Sequence, residues 1–181
     1  MINHLQELSL FGYTNIGRLI DKENISQLSE ILIKLKQSEI ERDGIDILKE
    51  NNFLEPVWNL PQEGSEFLKI IDNKDLNKFV DKALNEKAVI HSYNAIINMP
   101  EHKSGMLGFQ YHRDSPFFDR IRTSLLIMIP LVDMTTQNGA TQFIQGSHLF
   151  EKMPCEEILE NNYSEILATA GDGLVLDTTC W

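Results

Sequence analysis

From Ala88 onward the chain stops reading as helix and breaks into short β-forming runs separated by turn residues. That change limits the fold more than any other feature. Five runs can be drawn: Ala88 to Asn98, which ends at Pro100; Phe109 to Asp114; Arg122 to Pro130; Thr141 to Ile144; and Leu174 to Asp177, entered through Gly171-Asp172-Gly173. Their Val, Ile, Tyr and Thr suit a pleated, half-buried surface, and the Gly, Asn and Asp between them suit turns. Five short runs with turn signals between them suggest a sandwich or barrel rather than βαβ units. The continuous apolar stretch inside Arg122 to Pro130 predicts a strand buried on both faces.

Upstream, the period is that of a helix. Asp21 is a good N-cap, and Ile25, Leu28, Ile31, Leu32 and Leu35 then fall on one face of a helix of about five turns. A loop at Asp43-Gly44 and an irregular stretch with Pro56, Trp58 and Pro61 follow. A second helix is expected from about Asp75 to Leu84, with Leu76, Phe79, Val80 and Leu84 on one side. The expected class is therefore α+β: mostly β with N-terminal helices, as one domain across 1–181. Residues 1–87 would be mainly helical and 88–181 would form the β-core.

Charge and cysteine usage narrow the class of protein. A net charge of −11 would repel the phosphates of nucleic acid and an anionic membrane surface. Cys155 and Cys180 form neither a CxxC pair nor a disulfide ladder, which fits a reducing cytoplasm. The first residues, Met1-Ile2-Asn3-His4-Leu5-Gln6-Glu7, lack the basic and apolar regions of a signal peptide, and no apolar run reaches the roughly 20 residues of a membrane span.

Chemistry concentrates in Tyr111-His112-Arg113-Asp114. On a strand, residues two apart point to the same face, so His112 and Asp114 would set an imidazole nitrogen beside a carboxylate oxygen, with Arg113 facing outward. Such a pair is two-thirds of a 2-His-1-carboxylate facial triad. By itself the spacing is weak, because a surface histidine beside a solvated aspartate is the commoner arrangement.

The flanking sequence changes that balance. The stretch Ile129-Pro130-Leu131-Val132-Asp133-Met134-Thr135-Thr136-Gln137-Asn138-Gly139-Ala140-Thr141-Gln142-Phe143-Ile144-Gln145-Gly146-Ser147-His148 resembles the phytanoyl-CoA dioxygenase family. There an apolar-Asp segment leads to an Asn-Gly turn, and a strand then delivers Gly-Ser-His. Ala170 to Trp181 resembles the family's Gly-Asp-apolar strand, and the opening Phe11-Gly12-Tyr13, then Ile20-Asp21 and a helix, looks like the family's start. The resemblance implies a double-stranded β-helix (a jelly roll, cupin-like) and an Fe(II)- and 2-oxoglutarate-dependent dioxygenase that hydroxylates a small organic substrate. It implies iron on His112 and Asp114, with 2-oxoglutarate and dioxygen at the remaining positions. Halogenating relatives carry a small residue where Asp114 stands, so hydroxylation is expected. In the family, a third iron ligand, a histidine, directly follows a segment like Asp177 to Trp181, and an arginine for 2-oxoglutarate comes later. The expectation is thus that the last barrel strands and the third ligand are missing from residues 1–181. This stretch alone would bind iron weakly and turn over nothing.

Other residues were weighed against plainer roles. Tyr93, Phe109 and Met128 fall where relatives line the 2-oxoglutarate pocket, but also where barrel core belongs. His148 is expected to be a turn histidine bonded to nearby backbone, and His91 a packed or edge residue. His4 and His102 sit in segments that read as flexible. Arg122 could receive a carboxylate, though a strand-end charge is more often solvated. Asn138-Gly139 and Gly146-Ser147 are expected to shape turns. Phe117-Phe118 could wall a substrate mouth, and Phe53 and Trp58 could belong to a lid. The rival readings are a jelly-roll or cupin-like binding module without redox chemistry, or a halogenase or epimerase-type relative. Substrate and oligomeric state are not legible.

Overall fold

The structure, a computed structural model, describes residues 3–50, 55–97, 111–119 and 121–181. The chain opens with α1 (His4–Phe11), where Asn3 and Gln6 cap each other's backbone and Gly12 closes the helix at φ 78°. Strand β1 (Tyr13–Arg18) leads to α2 (Lys22–Asp43), whose N-terminus is capped by Asp21 as expected, the carboxylate accepting from Asn24 N. Helices α3 (Ile45–Glu50), α4 (Ser65–Ile71) and α5 (Lys74–Leu84) follow, with the two-residue strands β2 (Pro56–Val57) and β3 (Ala95–Ile96). The second half holds β4 (Leu125–Met128), β5 (Gln142–Ile144), α6 (Glu156–Asn161), β6 (Tyr163–Glu165) and β7 (Asp172–Asp177).

Three strands form an antiparallel sheet in the order β1-β7-β4, and β2-β3 and β5-β6 are separate antiparallel pairs. Tyr13 stands opposite Leu176, and Leu126 stands opposite the same residue from the other side. Strand β7 is thus flanked on both edges, and Leu174 and Val175 are fully buried. The strand expected to be buried on both faces was β4; it pairs only with β7, and Leu126 remains 40% exposed. Its apolar residues serve one covered face and one edge.

Apolar residues gather in two clusters. Ile20, Ile25, Leu28, Leu32, Val57, Leu60 and Phe67 pack the helical half, while Phe143, Ile166, Leu174, Leu176 and Cys180 pack around β7. Lys36 lies buried under the first, its Nζ donating to Pro56 O at 2.7 Å and pairing with Glu39. The link between the halves runs through Gly171, whose carbonyl accepts from Leu19 N and Ile20 N at 2.8 and 3.1 Å. A Cβ there would stand 2.3 Å from Ile20 O, so only glycine permits this approach.

The fold is mixed helix and sheet, as expected, but helix outweighs strand among the described residues. The β-forming run from Ala88 pairs only at Ala95–Ile96, and Val89 upstream is 91% exposed. Propensity supplies extended backbone there without a neighbouring strand to complete a ladder. Helices α1, α3, α4 and α6 are too short to show a clear period, and His4, expected in a flexible segment, sits in α1. No closed sheet is present among the described residues. None of the described helices is long and apolar enough to cross a membrane.

Candidate metal centre

Residues 111–114 pass the exit of β7 without forming a ladder, and the backbone bends at Asp114. The expected strand from Phe109 is not seen in its described part, and Phe109 itself lies outside the described residues. Two amides hold the segment in place: Asp114 N and Ser115 N both donate to Thr178 O, at 3.0 and 3.2 Å. A chain of hydroxyls adds to this, with Ser115 Oγ 2.7 Å from Ser124 Oγ and Ser124 Oγ 2.5 Å from Thr178 Oγ1. The site segment is therefore fixed to the entrance of β4 and the exit of β7 together.

His112 Nε2 and Asp114 Oδ1 come together at 3.3 Å, each side chain about half exposed (47% and 50%). They line an open cleft of about 610 Å³ between the 111–117 segment, Glu151 and Trp181. Cis donors around an octahedral ion about 2.1 Å away lie roughly 3.0 Å apart, so one imidazole nitrogen and one carboxylate oxygen at 3.3 Å fit a divalent transition metal. Among the described residues no three His, Cys, Asp or Glu side chains gather into a metal site. The pair supplies two donors.

Arg113, expected to face outward, is partly buried and lines the same cleft as His112 and Asp114. Its Nη1 donates to Glu151 O at 2.7 Å, and its Nη2 donates to Ser147 O at 3.0 Å and to Phe150 O. The guanidinium lies 4.5 Å from the Trp181 ring centre and 5.3 Å from that of Phe117. Burial pulls its pKa below the ordinary value, yet a guanidinium stays charged at neutral pH.

The other named residues have structural partners. His148 is 94% buried by its 6% exposure, and its Nε2 meets Ser9 O at 3.1 Å, bonded to backbone as expected though across to α1. Its Nδ1 is buried without a partner, and burial lowers its pKa. Arg122 Nε donates to buried Asp177 Oδ2 at 2.7 Å and its Nη1 to Ala83 O at 3.1 Å. Cys180, with its thiol pushed up to about 11 by burial and then by Asp177, packs against Gly12.

Tyr93 packs edge-on against Phe67 in the helical cluster, and burial lifts its pKa to about 12. Met128 packs in the β7 cluster and accepts from Thr141 Oγ1 at 3.8 Å. The two sit in different cores, and neither lines the cleft. Phe117 does line it, Phe118 is 52% exposed, and Trp58 is 48% exposed. His91 lies on exposed, unpaired backbone, and His102 and Phe53 fall outside the described residues. The Asn138-Gly139 turn forms as expected, with Gly139 at φ 82° and Asn138 Oδ1 accepting from Thr135 N at 2.8 Å. Sequence reasoning missed the grip of Arg113 and the place of Trp181, whose backbone N donates to Ser147 Oγ at 2.8 Å. Nothing local showed what Arg113 would meet.

A family model described as phytanoyl-CoA dioxygenase (PhyH) matches residues 8–178. Two uncharacterized proteins, Mb1539 of Mycobacterium bovis and Rv1501 of Mycobacterium tuberculosis, are each 23% identical over 179 residues, covering 96% of this chain. The chain spans 65% of the length of these relatives. Among solved structures, AviO1 from Streptomyces viridochromogenes Tue57 superposes with a TM-score of 0.75 at 16% identity, over 99% of this chain and 86% of that one. The nickel complex of ThoJ, a non-heme monooxygenase, gives 0.68 at 14% identity, over 98% and 68%. HygX from Streptomyces hygroscopicus, with nickel, 2-oxoglutarate and hygromycin B bound, gives 0.64 at 14% identity, over 98% and 77%.

Proposed function

Because the chain belongs to the phytanoyl-CoA dioxygenase family, we propose that it carries the iron-binding part of an Fe(II)- and 2-oxoglutarate-dependent oxygenase that hydroxylates a small organic substrate with dioxygen. His112 and Asp114 are two of the ligands. The observation that carries this reading is their 3.3 Å approach at the mouth of an open cleft. The double-stranded β-helix belongs to the same proposal, supported by the superposition on AviO1. So do a cytoplasmic location and a protein that takes neither nucleic acid nor membrane as partner, supported by the charge of −11.

When bound, iron(II) would supply a site where dioxygen, the oxidant, is reduced with two electrons from 2-oxoglutarate, which leaves as succinate and carbon dioxide; the chain's residues would hold the metal. His112 offers a neutral nitrogen and Asp114 a negative oxygen, so together they hold a divalent cation while neutralising one charge. With a carboxylate at Asp114 no position is left open for a halide, which favours hydroxylation. Phe117 and Trp181 present apolar surface to the cleft on the side away from the solvent-facing pair. In this proposal residues 1–181 alone bind iron weakly and release no succinate, since among the described residues no three metal-ligating side chains gather.

The test is succinate release by the protein as encoded at its locus, supplied with iron(II), 2-oxoglutarate and dioxygen, alongside iron titration. His112→Ala and Asp114→Ala should each lower iron affinity by a hundredfold or more and abolish succinate release. Iron affinity unchanged in both variants would sink the assignment. Metal binding that depends on both residues, without succinate, would favour a binding module with a structural metal.

A further inference from the structure

The residue between the two ligands reaches three backbone carbonyls outside its own segment. We propose that Arg113 is a positioning residue, its guanidinium gripping the Ser147–Glu151 turn and so holding His112 and Asp114 at ligating separation. This rests on the reading of those two side chains as metal ligands. The 111–114 backbone has no strand ladder, and its amide bonds to Thr178 O begin only at Asp114. On the His112 side, the Tyr111 hydroxyl donates over long distances, 3.4 Å to Leu159 O and 3.5 Å to Gln142 Oε1. Arg113 is one residue from each ligand and ties the chain down at three carbonyls.

The turn it grips is itself held from three directions. Gly146 N donates to Phe11 O at 2.9 Å, Ser147 Oγ accepts from Trp181 N at 2.8 Å, and His148 Nε2 meets Ser9 O at 3.1 Å. The guanidinium also lies over Trp181 and Phe117, both of which line the cleft. Planarity matters here: a flat fork can lie against a ring while donating in its own plane, and an ammonium cannot. Outer groups that fix the orientation of metal ligands are commonly worth about 10–100-fold in metal affinity.

A competing effect has the opposite sign. A positive charge one residue from each ligand should repel a bound cation. Replacing Arg113 with a neutral side chain would then tighten metal binding. The grip is favoured because the guanidinium charge is spread over three carbonyl oxygens.

The experiment is cobalt(II) titration, followed by its d–d absorption, of the protein as encoded, in wild type, Arg113→Met, Arg113→Lys and His112→Ala. The grip predicts about tenfold or greater weakening in Arg113→Met, with Arg113→Lys restoring less than half of the loss although the charge is kept. It also predicts a shifted ligand-field spectrum in both Arg113 variants at saturating cobalt. Arg113→Met binding cobalt as tightly as wild type, or more tightly, with an unshifted spectrum, overturns the proposal. Should Arg113→Met not fold, Arg113→Lys decides, because wild-type affinity and spectrum in that variant also overturn it. If His112→Ala binds like wild type, the metal reading itself has failed, which is a different result.

Discussion

Substituting Gly12 with alanine strains the centre of the molecule at a single point. Gly12 ends α1 at φ 78°, and its carbonyl accepts from Asp177 N at 2.8 Å. A Cβ there would stand 2.2 Å from Cys180 Sγ and 2.7 Å from His148 Nδ1. Left-handed backbone costs an alanine about 1–2 kcal/mol relative to glycine, and forcing a methyl into a filled core costs about 1–3 kcal/mol. Gly12→Ala should therefore lose roughly 2–5 kcal/mol of unfolding free energy, read as a lowered urea midpoint with an unchanged slope. The two contributions separate in a double-mutant cycle. Cys180→Ala removes the sulfur that the new methyl would strike but leaves the backbone term and the imidazole contact. Gly12→Ala with Cys180→Ala should fall short of the additive loss by about 1 kcal/mol or more. A single variant within about 0.5 kcal/mol of wild type, or strict additivity in the double, would refute the close packing argued for this corner.

Two further predictions concern the same buried polar groups. The pKa of His148 is lowered by burial, with the Arg122 and Arg113 charges adding to this and Ser9 O and Asp177 opposing it. Its folded pKa thus lies below the unfolded value of about 6.5. The unfolded chain then binds the extra proton, so the stability present above about pH 6.5 is lost progressively as pH falls toward the depressed folded value. The melting temperature of wild type should fall more between pH 7.5 and 5.5 than that of His148→Gln, and parallel curves would count against it. Arg122→Met leaves Asp177, 4% exposed, without its guanidinium and should cost about 3 kcal/mol, the low end for a broken buried pair, because Thr179 N and Oγ1 still donate to the carboxylate. Adding Asp177→Asn should recover part of that loss, and further destabilisation in the double variant would contradict the pairing.

What the sequence made legible follows from the range of the forces involved. The N-cap at Asp21, the helix after it, the Asn138-Gly139 turn and the apolar β7 are decided within a few residues, and all appear in the structure. The juxtaposition of His112 and Asp114 was legible for a similar reason, since alternation requires only extended backbone, and it survives although the expected ladder does not. Partners far along the chain were not legible. Arg122 reads as a solvated strand-end charge until β7 brings Asp177 to it from 55 residues away. The same holds for Arg113, whose carbonyl partners lie 34 to 38 residues downstream. Tyr93 and Met128 read equally as pocket or core because both places are apolar, and nothing local shows that they pack in different clusters.

The exit of β7 explains why so small a sheet can hold a site. Within five residues, four positions reach other parts of the chain. Asp177 takes Arg122 and reaches back to Gly12; Thr178 takes both amides of the 114–115 segment and the Ser124 hydroxyl; Cys180 packs on the end of α1; Trp181 meets Ser147 and lies beneath Arg113. A loop with one anchor would let His112 and Asp114 drift apart with each fluctuation. Here the ligand segment, the Gly-Ser-His turn and α1 are bonded to one short stretch of a fully buried strand. A displacement at any of them must move β7, which lies flanked by strands on both edges and covered on both faces. The 3.3 Å approach of His112 and Asp114 thus rests on a segment tied to the end of a strand whose Leu174 and Val175 are fully buried.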